Sequence, residues 1–312
     1  MTLMSGGTQN RRDTVDGLLL LNKPAGLSSN QALQRVKRLL NAKKAGHTGS
    51  LDPAATGMLP LCFGEATKVC QFLLDADKTY RVTAKLGIAT DTGDADGKQI
   101  ESQAVPALSI QQWRDLLQGF AGESTQVPPM YSALKQDGKR LYELARQGVT
   151  VARAPRPIRI EVIELLEAAA GRLVFRTRCS KGTYIRVLVE DIARAAGTVA
   201  HTARLHREEV GDFRAVDMLE MRALEAAMEE GKGLRQHLIA PDKALGRLPP
   251  VTLEHADVVR FRGGMSVSRV ATATSGLVRA YDDAARFLGV GEVSKDGSLA
   301  PKRVFNLGEK NP

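Results

Sequence analysis

The order in which its hydrophobic periodicities come constrains this chain more than any other feature. Gly17 to Asn22 is a short apolar run that predicts a strand, and Lys23-Pro24-Ala25-Gly26 predicts a tight turn. Ser28, with Gln31 three residues on, forms a capping box for a helix over 28–41. Residues 46–57 hold three glycines and a proline and predict loop. Tyr80, Val82, Ala84 and Leu86 then alternate with Arg81, Thr83 and Lys85, the period of a strand. Ser109 and Gln112 box a second helix that stops near Gly119, and strand-like runs cover 158–166 and 172–179. Ile185, Leu188, Val189, Ile192 and Ala196 fall at helical spacing before Gly197. Strand and helix do not alternate regularly enough for a doubly wound parallel sheet. The expected class is α+β, a mixed and largely antiparallel sheet with packed helices.

A length of 312 residues suggests two domains. The larger would span 1–248, with a polar, proline-bounded excursion over 121–157 around one short helix near 139–147. A weaker helical region covers 217–238. After Pro249-Pro250 the texture changes, and Ser266 to Ala271 and Gly276 to Tyr281 alternate as short strands. That predicts a small all-β unit over 249–312.

Hydrophobic residues at 43% and charged residues at 25% exclude disorder, collagen and long coiled coil. Cys62, Cys70 and Cys179 include no CxxC pair, which points to a reducing compartment without a disulfide framework. The start, Met1 to Arg12, is polar, and Leu18–Leu21 is far short of the roughly 18 residues a spanning helix needs. The cytoplasm is therefore the expected location. Lys and Arg number 44 against 35 Asp and Glu, a net +9 that favours a polyanionic partner. Two segments concentrate this charge. Gly17–Leu51 has no acid but holds Lys23, Arg35, Lys37, Arg38, Lys43 and Lys44. Ala168–Val189 has none but holds Arg172, Arg176, Arg178, Lys181 and Arg186. Such runs suit phosphate contacts, although a solvated face is the plainer account of either one alone.

Several motifs fail. Asp94-Ala95-Asp96-Gly97 resembles the middle of a calcium loop, but Thr92 and Gln103 stand where acidic ligands are needed. Asp91-Thr92-Gly93 has no second copy to complete a protease carboxylate pair. Ser132 and Lys135 spell SxxK without the motifs that accompany it in β-lactamases. His201 and His206 would lie about 140° apart on a helix, poor geometry for a metal. Neither a Walker loop nor GxGxxG is present, so no cofactor and no metal site is expected.

One loop survives. Asp52 is the first acid after Asp16 and sits in the Gly-rich 46–57 segment beside the first basic run. Positive neighbours keep a carboxylate ionised, able to act as a nucleophile or to stabilise a cationic sugar. Spacing alone also allows a plain structural role, with Asp52 capping a helix that begins at Pro53. On spacing alone, likewise, Tyr80 and Tyr184 read as core or rim residues, His47 as a turn residue and Leu205 as core.

These residues belong to longer blocks. Asn22–Ser29, Gly46–Gly57, Asp77–Val82, Asp91–Gly97, Pro129–Lys135 and Cys179–Arg186 together resemble the signature of the TruB family of tRNA pseudouridine synthases, in order and over nearly the whole chain. The resemblance implies isomerisation of the T-loop uridine at tRNA position 55 to pseudouridine. The C1′–N1 bond breaks, the uracil turns over, and C5 joins C1′. No cofactor is implied. It further implies Asp52 as the catalytic carboxylate and Arg186 as its partner. Tyr80 would stack on the flipped base, Tyr184 and Leu205 would line the uridine pocket, and His47 would wedge into the T-loop. Residues 121–152 become an RNA-gripping insertion and 249–312 a PUA-like RNA-binding domain. The expected partner is the tRNA T-stem-loop, bound by a monomer with no membrane and no small-molecule cofactor. The alternatives are a synthase for another RNA uridine, a tRNA-binding or folding module, and a glycosidase that releases uracil.

Overall fold

The computed structural model describes residues 12–132, 134–136, 138–268, 270 and 275–308. The chain enters through β1 (Gly17–Lys23), whose leucines are buried on both faces. Leu19 and Leu21 pack with α1 (Ser29–Leu39), and Leu18 faces the other side of the sheet. A strand covered on both faces needs no polar alternation, so the run reads as continuously apolar. Ser28 caps α1, accepting from the Gln31 amide while the Gln31 side chain accepts from the Ser28 amide. β2 (Ala45–His47) and β3 (Thr56–Phe63) follow. The loop expected over 46–57 thus narrows to 48–55, because β3 pairs with β1 from Gly17↔Phe63 to Lys23↔Gly57 and buries Leu59, Leu61 and Phe63 against α1. No helix begins at Pro53, so the capping role open to Asp52 is removed.

After α2 (Cys70–Leu74), β4 (Lys78–Leu86) points Tyr80, Val82, Ala84 and Leu86 into one core, as its alternation predicts. β5 (Ile88–Thr90) and β6 (Gln99–Ser102) form a hairpin with Asp91–Gly97 in its loop. α3 (Ile110–Gln118) starts from the Ser109–Gln112 box. The region expected to be an excursion opens with β7 (Gly122–Gln126), a main-sheet strand. β8 (Lys135–Gln136), β9 (Lys139–Arg140) and α4 (Leu141–Arg146) then leave the sheet. The chain returns in β10 (Arg156–Ala169) and β11 (Arg172–Cys179). β7 is polar because an edge strand with one face in solvent needs no apolar pattern.

α5 (Ile185–Ala195) precedes β12 (Ala200–Val210), a strand absent from the sequence reading. Bulges at Thr202/Arg204 and Arg207/Glu209 break its alternation. His201 and His206 therefore lie on this strand and not on a helix. Their Nδ1 atoms bond Ile88 O and Thr56 Oγ1, each at 2.8 Å. The helical region expected over 217–238 is broken into β13 (Leu219–Glu220), α6 (Met221–Glu229) and a 3-10 turn at Arg235–His237, with Gly231 and Gly233 between the two helical pieces. Among the described residues the main sheet has nine strands, in the order β13-β1-β3-β12-β4-β11-β10-β7 with β2 beside β3. Only the β1–β13 and β3–β12 pairs are parallel. α1 and α6 pack on its β1–β3 part, and α3 and α5 on its β4–β10 part. This is the mixed, largely antiparallel α+β architecture expected.

A second sheet runs β14 (Pro250–Thr252), β15 (Gly276–Tyr281), β16 (Phe287–Val293), β17 (Leu299–Val304), with α7 (His255–Arg262) against it. α7 corrects the all-β expectation to β-rich. The run from Ser266 forms no named strand. Val267 makes one bridge to Leu299, and Arg269 and Ala271 lie outside the described residues, as do Met1 to Arg11. Phe287, Val290 and Phe305 share a core with Leu18, Cys62 and Val69, so apolar packing joins the two sheets.

Gly57 lies where β3 leaves the loop, at φ +102°, and a Cβ there would sit 2.2 Å from the Arg207 carbonyl oxygen. Gly57→Ala is expected to lower the unfolding free energy by about 3 kcal/mol. Ser109→Ala, which removes one helix cap, should cost about 1 kcal/mol. Urea unfolding of both variants checks the order, and a smaller loss for Gly57→Ala than for Ser109→Ala would mean that β12 shifts freely.

Candidate active site

The 48–55 loop has little secondary structure of its own, so its shape depends on what satisfies its backbone. Lys23, the last residue of β1, is fully buried. Its ammonium donates to Pro24 O (2.8 Å), Leu27 O (2.7 Å) and Pro53 O (3.2 Å). Ser29 Oγ accepts from the Leu51 amide at 2.8 Å and donates to its carbonyl at 3.1 Å. Gly26 N–H also donates to Pro53 O, at 2.9 Å. From β12, buried Arg207 donates to Met58 O (2.6 Å), Gly49 O (3.1 Å) and Ser50 O (3.5 Å). Both ends of the loop are thus tied to the frame by cations whose donors go to carbonyls. Burial drives the Lys23 pKa down to about 8, with Arg207 adding to the fall and Asp52 opposing it.

Asp52 projects from this scaffold toward the N-terminal end of α5. Arg186 Nε lies 3.1 Å from Oδ2 and Nη2 lies 3.4 Å from Oδ1, a two-pronged contact. The same guanidinium donates to Thr92 O at 2.8 Å and Tyr131 O at 2.7 Å, with Asp94 Oδ2 at 3.8 Å. Exposure differs sharply across the pair. The Arg186 side chain is 7% accessible and the Asp52 side chain 45%. The arginine is saturated by protein acceptors, and the carboxylate keeps an open side for a ligand. Desolvation in this concave setting pushes the Asp52 carboxyl above its ordinary value, Arg186 and Lys23 pull it down, and Asp94 adds to the rise.

The other residues singled out in the sequence fall around this pair. Tyr80 is buried on β4, and desolvation raises its phenol pKa; the positive charge of Arg207 opposes that rise, and Asp52 is near enough to add to it electrostatically. Tyr184 directly precedes α5, and its side chain makes no bond to the helix's first amides. Gln126 fixes its backbone, Oε1 accepting from its amide at 2.7 Å and Nε2 donating to its carbonyl at 3.1 Å. Burial raises its phenol as well. Leu205 packs at the margin of the core containing Leu51, Ala55, Tyr80 and Ile185. His47 stands apart, closing β2 five residues before Asp52. Burial and then Arg207 lower its pKa, and its Nδ1 is shielded from solvent with no partner among the described residues.

Sequence reasoning missed four members of this assembly. Lys23 counted there as one of six positive charges in a basic run, although a lysine two residues after four leucines and directly before proline is poorly placed to reach solvent. Ser29 lay in the Asn22–Ser29 block without being singled out, and Gln126 and Arg207 carried no periodic or motif signal. The Asp91–Gly97 stretch, rejected as a calcium loop, presents Thr92 O and Asp94 to Arg186. Thr92, Gln126 and Tyr131 also line a cavity of about 660 Å³ between α5 and the 145–153 segment; Asp52 is not among its walls.

The two basic runs differ in three dimensions. Arg172, Arg176, Arg178 and Lys181 meet Glu167, Glu208 with Glu209, Glu161 and Asp75, acids supplied by other segments. That run is largely neutralised. Arg38, Lys43 and Lys44 in the first run are exposed, and the two lysines lead directly into β2.

Comparison with known proteins gives a consistent answer along the chain. Residues 37–185 match the family model described as TruB family pseudouridylate synthase (N terminal domain), residues 186–246 the tRNA pseudouridylate synthase B C-terminal domain, and residues 249–305 Pseudouridine synthase II TruB, C-terminal. A protein from Nitrosococcus oceani named tRNA pseudouridine synthase B is 47% identical over 93% of this chain and 95% of its own length. One of the same name from Dechloromonas aromatica is 48% identical over 95% and 97%. Among solved structures, that described as a Cbf5-Nop10-Gar1 complex superposes with TM-score 0.74, covering 98% of this chain and 91% of that one at 24% identity. An H/ACA RNP bound to a substrate RNA gives 0.70 at 23% identity, over 93% of this chain and 85% of that one. These structures share the fold. With close to half of its residues identical to such relatives over nearly its full length, the chain belongs to the TruB family of pseudouridine synthases.

Proposed function

We propose that this chain converts the T-loop uridine at position 55 of tRNA to pseudouridine, with Asp52 as the catalytic carboxylate. The observation that carries this reading is the asymmetry of the Asp52–Arg186 pair, a saturated arginine holding a carboxylate whose open side is free. A group held in this way is preorganised and ionised before the ribose C1′ arrives. Attack on C1′ and abstraction of a sugar proton toward a glycal both begin from that carboxylate. Once its C1′–N1 bond is broken, the uracil turns within the pocket and bonds C1′ through C5; C5 then loses its proton and N1 gains one, so the exchange is redox-neutral. Tyr80 provides an aromatic face for the flipped base, and Tyr184 and Leu205 wall the pocket. His47 stays neutral and so suits insertion into the base stack better than a phosphate contact.

RNA contact in this reading falls to the exposed Arg38–Lys43–Lys44 edge beside β2, to the insertion over 121–152 and to a PUA-like unit over 249–312. In this reading the chain acts on tRNA in the cytoplasm, as a monomer. Among the described residues no helix is long and apolar enough to cross a membrane.

Incubation of the protein with an unmodified tRNA transcript, followed by pseudouridine mapping, should give one modified T-loop uridine, and Asp52→Ala should give none. Modification at another uridine would move the substrate, a lost base would mean a glycosidase, and binding by both proteins without modification would leave a binding or folding module. The pH profile tests the arginine. Asp52 must be ionised, so the single-turnover rate at saturating tRNA falls on the acid side as its carboxyl protonates. Arg186 lowers that pKa, and its removal raises it. Arg186→Met should therefore cut the rate by about 10²-fold and move the acid limb to higher pH. An unmoved limb would show that Arg186 does not hold the catalytic carboxylate.

A further inference from the structure

Arg207 is among the largest wholly buried side chains of the protein, and no Asp or Glu oxygen among the described residues lies within salt-bridge distance of it. Burying a guanidinium without a counter-ion is costly unless its donors are satisfied otherwise. Here they are. Nε donates to Met58 O, Nη2 to Gly49 O and Nη1 to Ser50 O, so every nitrogen of the guanidinium has a main-chain acceptor. The backbone explains this reach. Arg207 is the register partner of both Tyr80 on β4 and Gly57 on β3, so it stands between the strand that carries the aromatic and the strand that leaves the Asp52 loop. The absent side chain at Gly57 lets the two backbones approach. Arg186, by contrast, reaches Asp52 from α5 and bonds neither Gly49 nor Ser50.

We propose that Arg207 is a positioning residue for the reaction, one guanidinium fixing the Gly49–Ser50 backbone that leads to Asp52 against β3 at Met58. This rests on the reading of the Asp52 pocket as the uridine site. The placement of the loop against β3 and β12 is then set by one rigid, planar group. Lysine is a poorer substitute, because its single ammonium nitrogen lacks the fork whose separate nitrogens meet Met58 O, Gly49 O and Ser50 O.

The test compares wild type, Arg207→Lys and Arg207→Gln in single-turnover pseudouridine formation on a tRNA transcript, with transcript Kd and thermal midpoint measured on the same preparations. Both variants should bind the transcript within threefold of wild type. At saturating tRNA the rate per folded molecule should fall about 10-fold for Lys and 100-fold or more for Gln, a split between turnover and binding with partial rescue by the conservative change. Should Arg207→Gln not fold, Arg207→Lys decides. Wild-type turnover in the folded Lys variant, or a loss seen only as a raised Kd, overturns the proposal while the wild-type product still supports the enzyme reading. A wild type that modifies no uridine overturns both.

Discussion

Buried positive charge satisfied by main-chain carbonyls is the interaction on which this site depends. The 48–55 loop joins two strands without a ladder of its own, so its carbonyls need donors from elsewhere. Lys23 and Arg207 supply them from opposite sides, the first through Pro53 and the second through Gly49, Ser50 and Met58. Charge-assisted bonds of this kind contribute roughly 1.5–3 kcal/mol each, enough to offset much of the desolvation of a cation. What is not offset shows in Lys23, whose pKa falls to about 8. The loop is held rigid by groups that themselves tolerate burial only because the loop is there.

Arg186 extends the same device to a carboxylate. It gathers Thr92 from the β5–β6 hairpin, Tyr131 from the segment after β7 and Asp52 from the loop. Three stretches distant in sequence meet at one guanidinium, and the carboxylate is oriented as a consequence. The pull of Arg186 and Lys23 against desolvation and Asp94 keeps Asp52 responsive to its surroundings. Asp94 therefore belongs to the electrostatics of the site, a role that neither the failed calcium motif nor the Asp91–Gly97 block assigned to it.

Much of the architecture could be read in advance where one face of an element is buried. β4 and α5 carried clean periods of two and 3.6, and the Ser28 and Ser109 boxes located their helices. Prediction failed where that condition failed. β3 was hidden because both of its faces are covered, and β12 because two bulges interrupt it. β7 was hidden because it is a polar edge. The second basic run was misread for a related reason. Its arginines sit on β11, and the glutamates that meet them lie outside the run, on β10 just before it and on β12 after it.

Alone, the sequence determined the α+β class, the positions of the capped helices and Asp52 as the acid worth attention. The motif blocks from Asn22 to Arg186 identified the family to which the chain belongs. Those properties are local in the chain, or are carried by residue identities that survive without a fold. Tertiary structure decided which charges are free and which are buried, and it alone made Lys23, Ser29, Gln126 and Arg207 parts of the site. The physical reason is that a side chain's role in a site depends on its dielectric surroundings and its hydrogen-bond partners. Both are set by strands and loops as many as 158 residues away, as with Arg207 and Gly49.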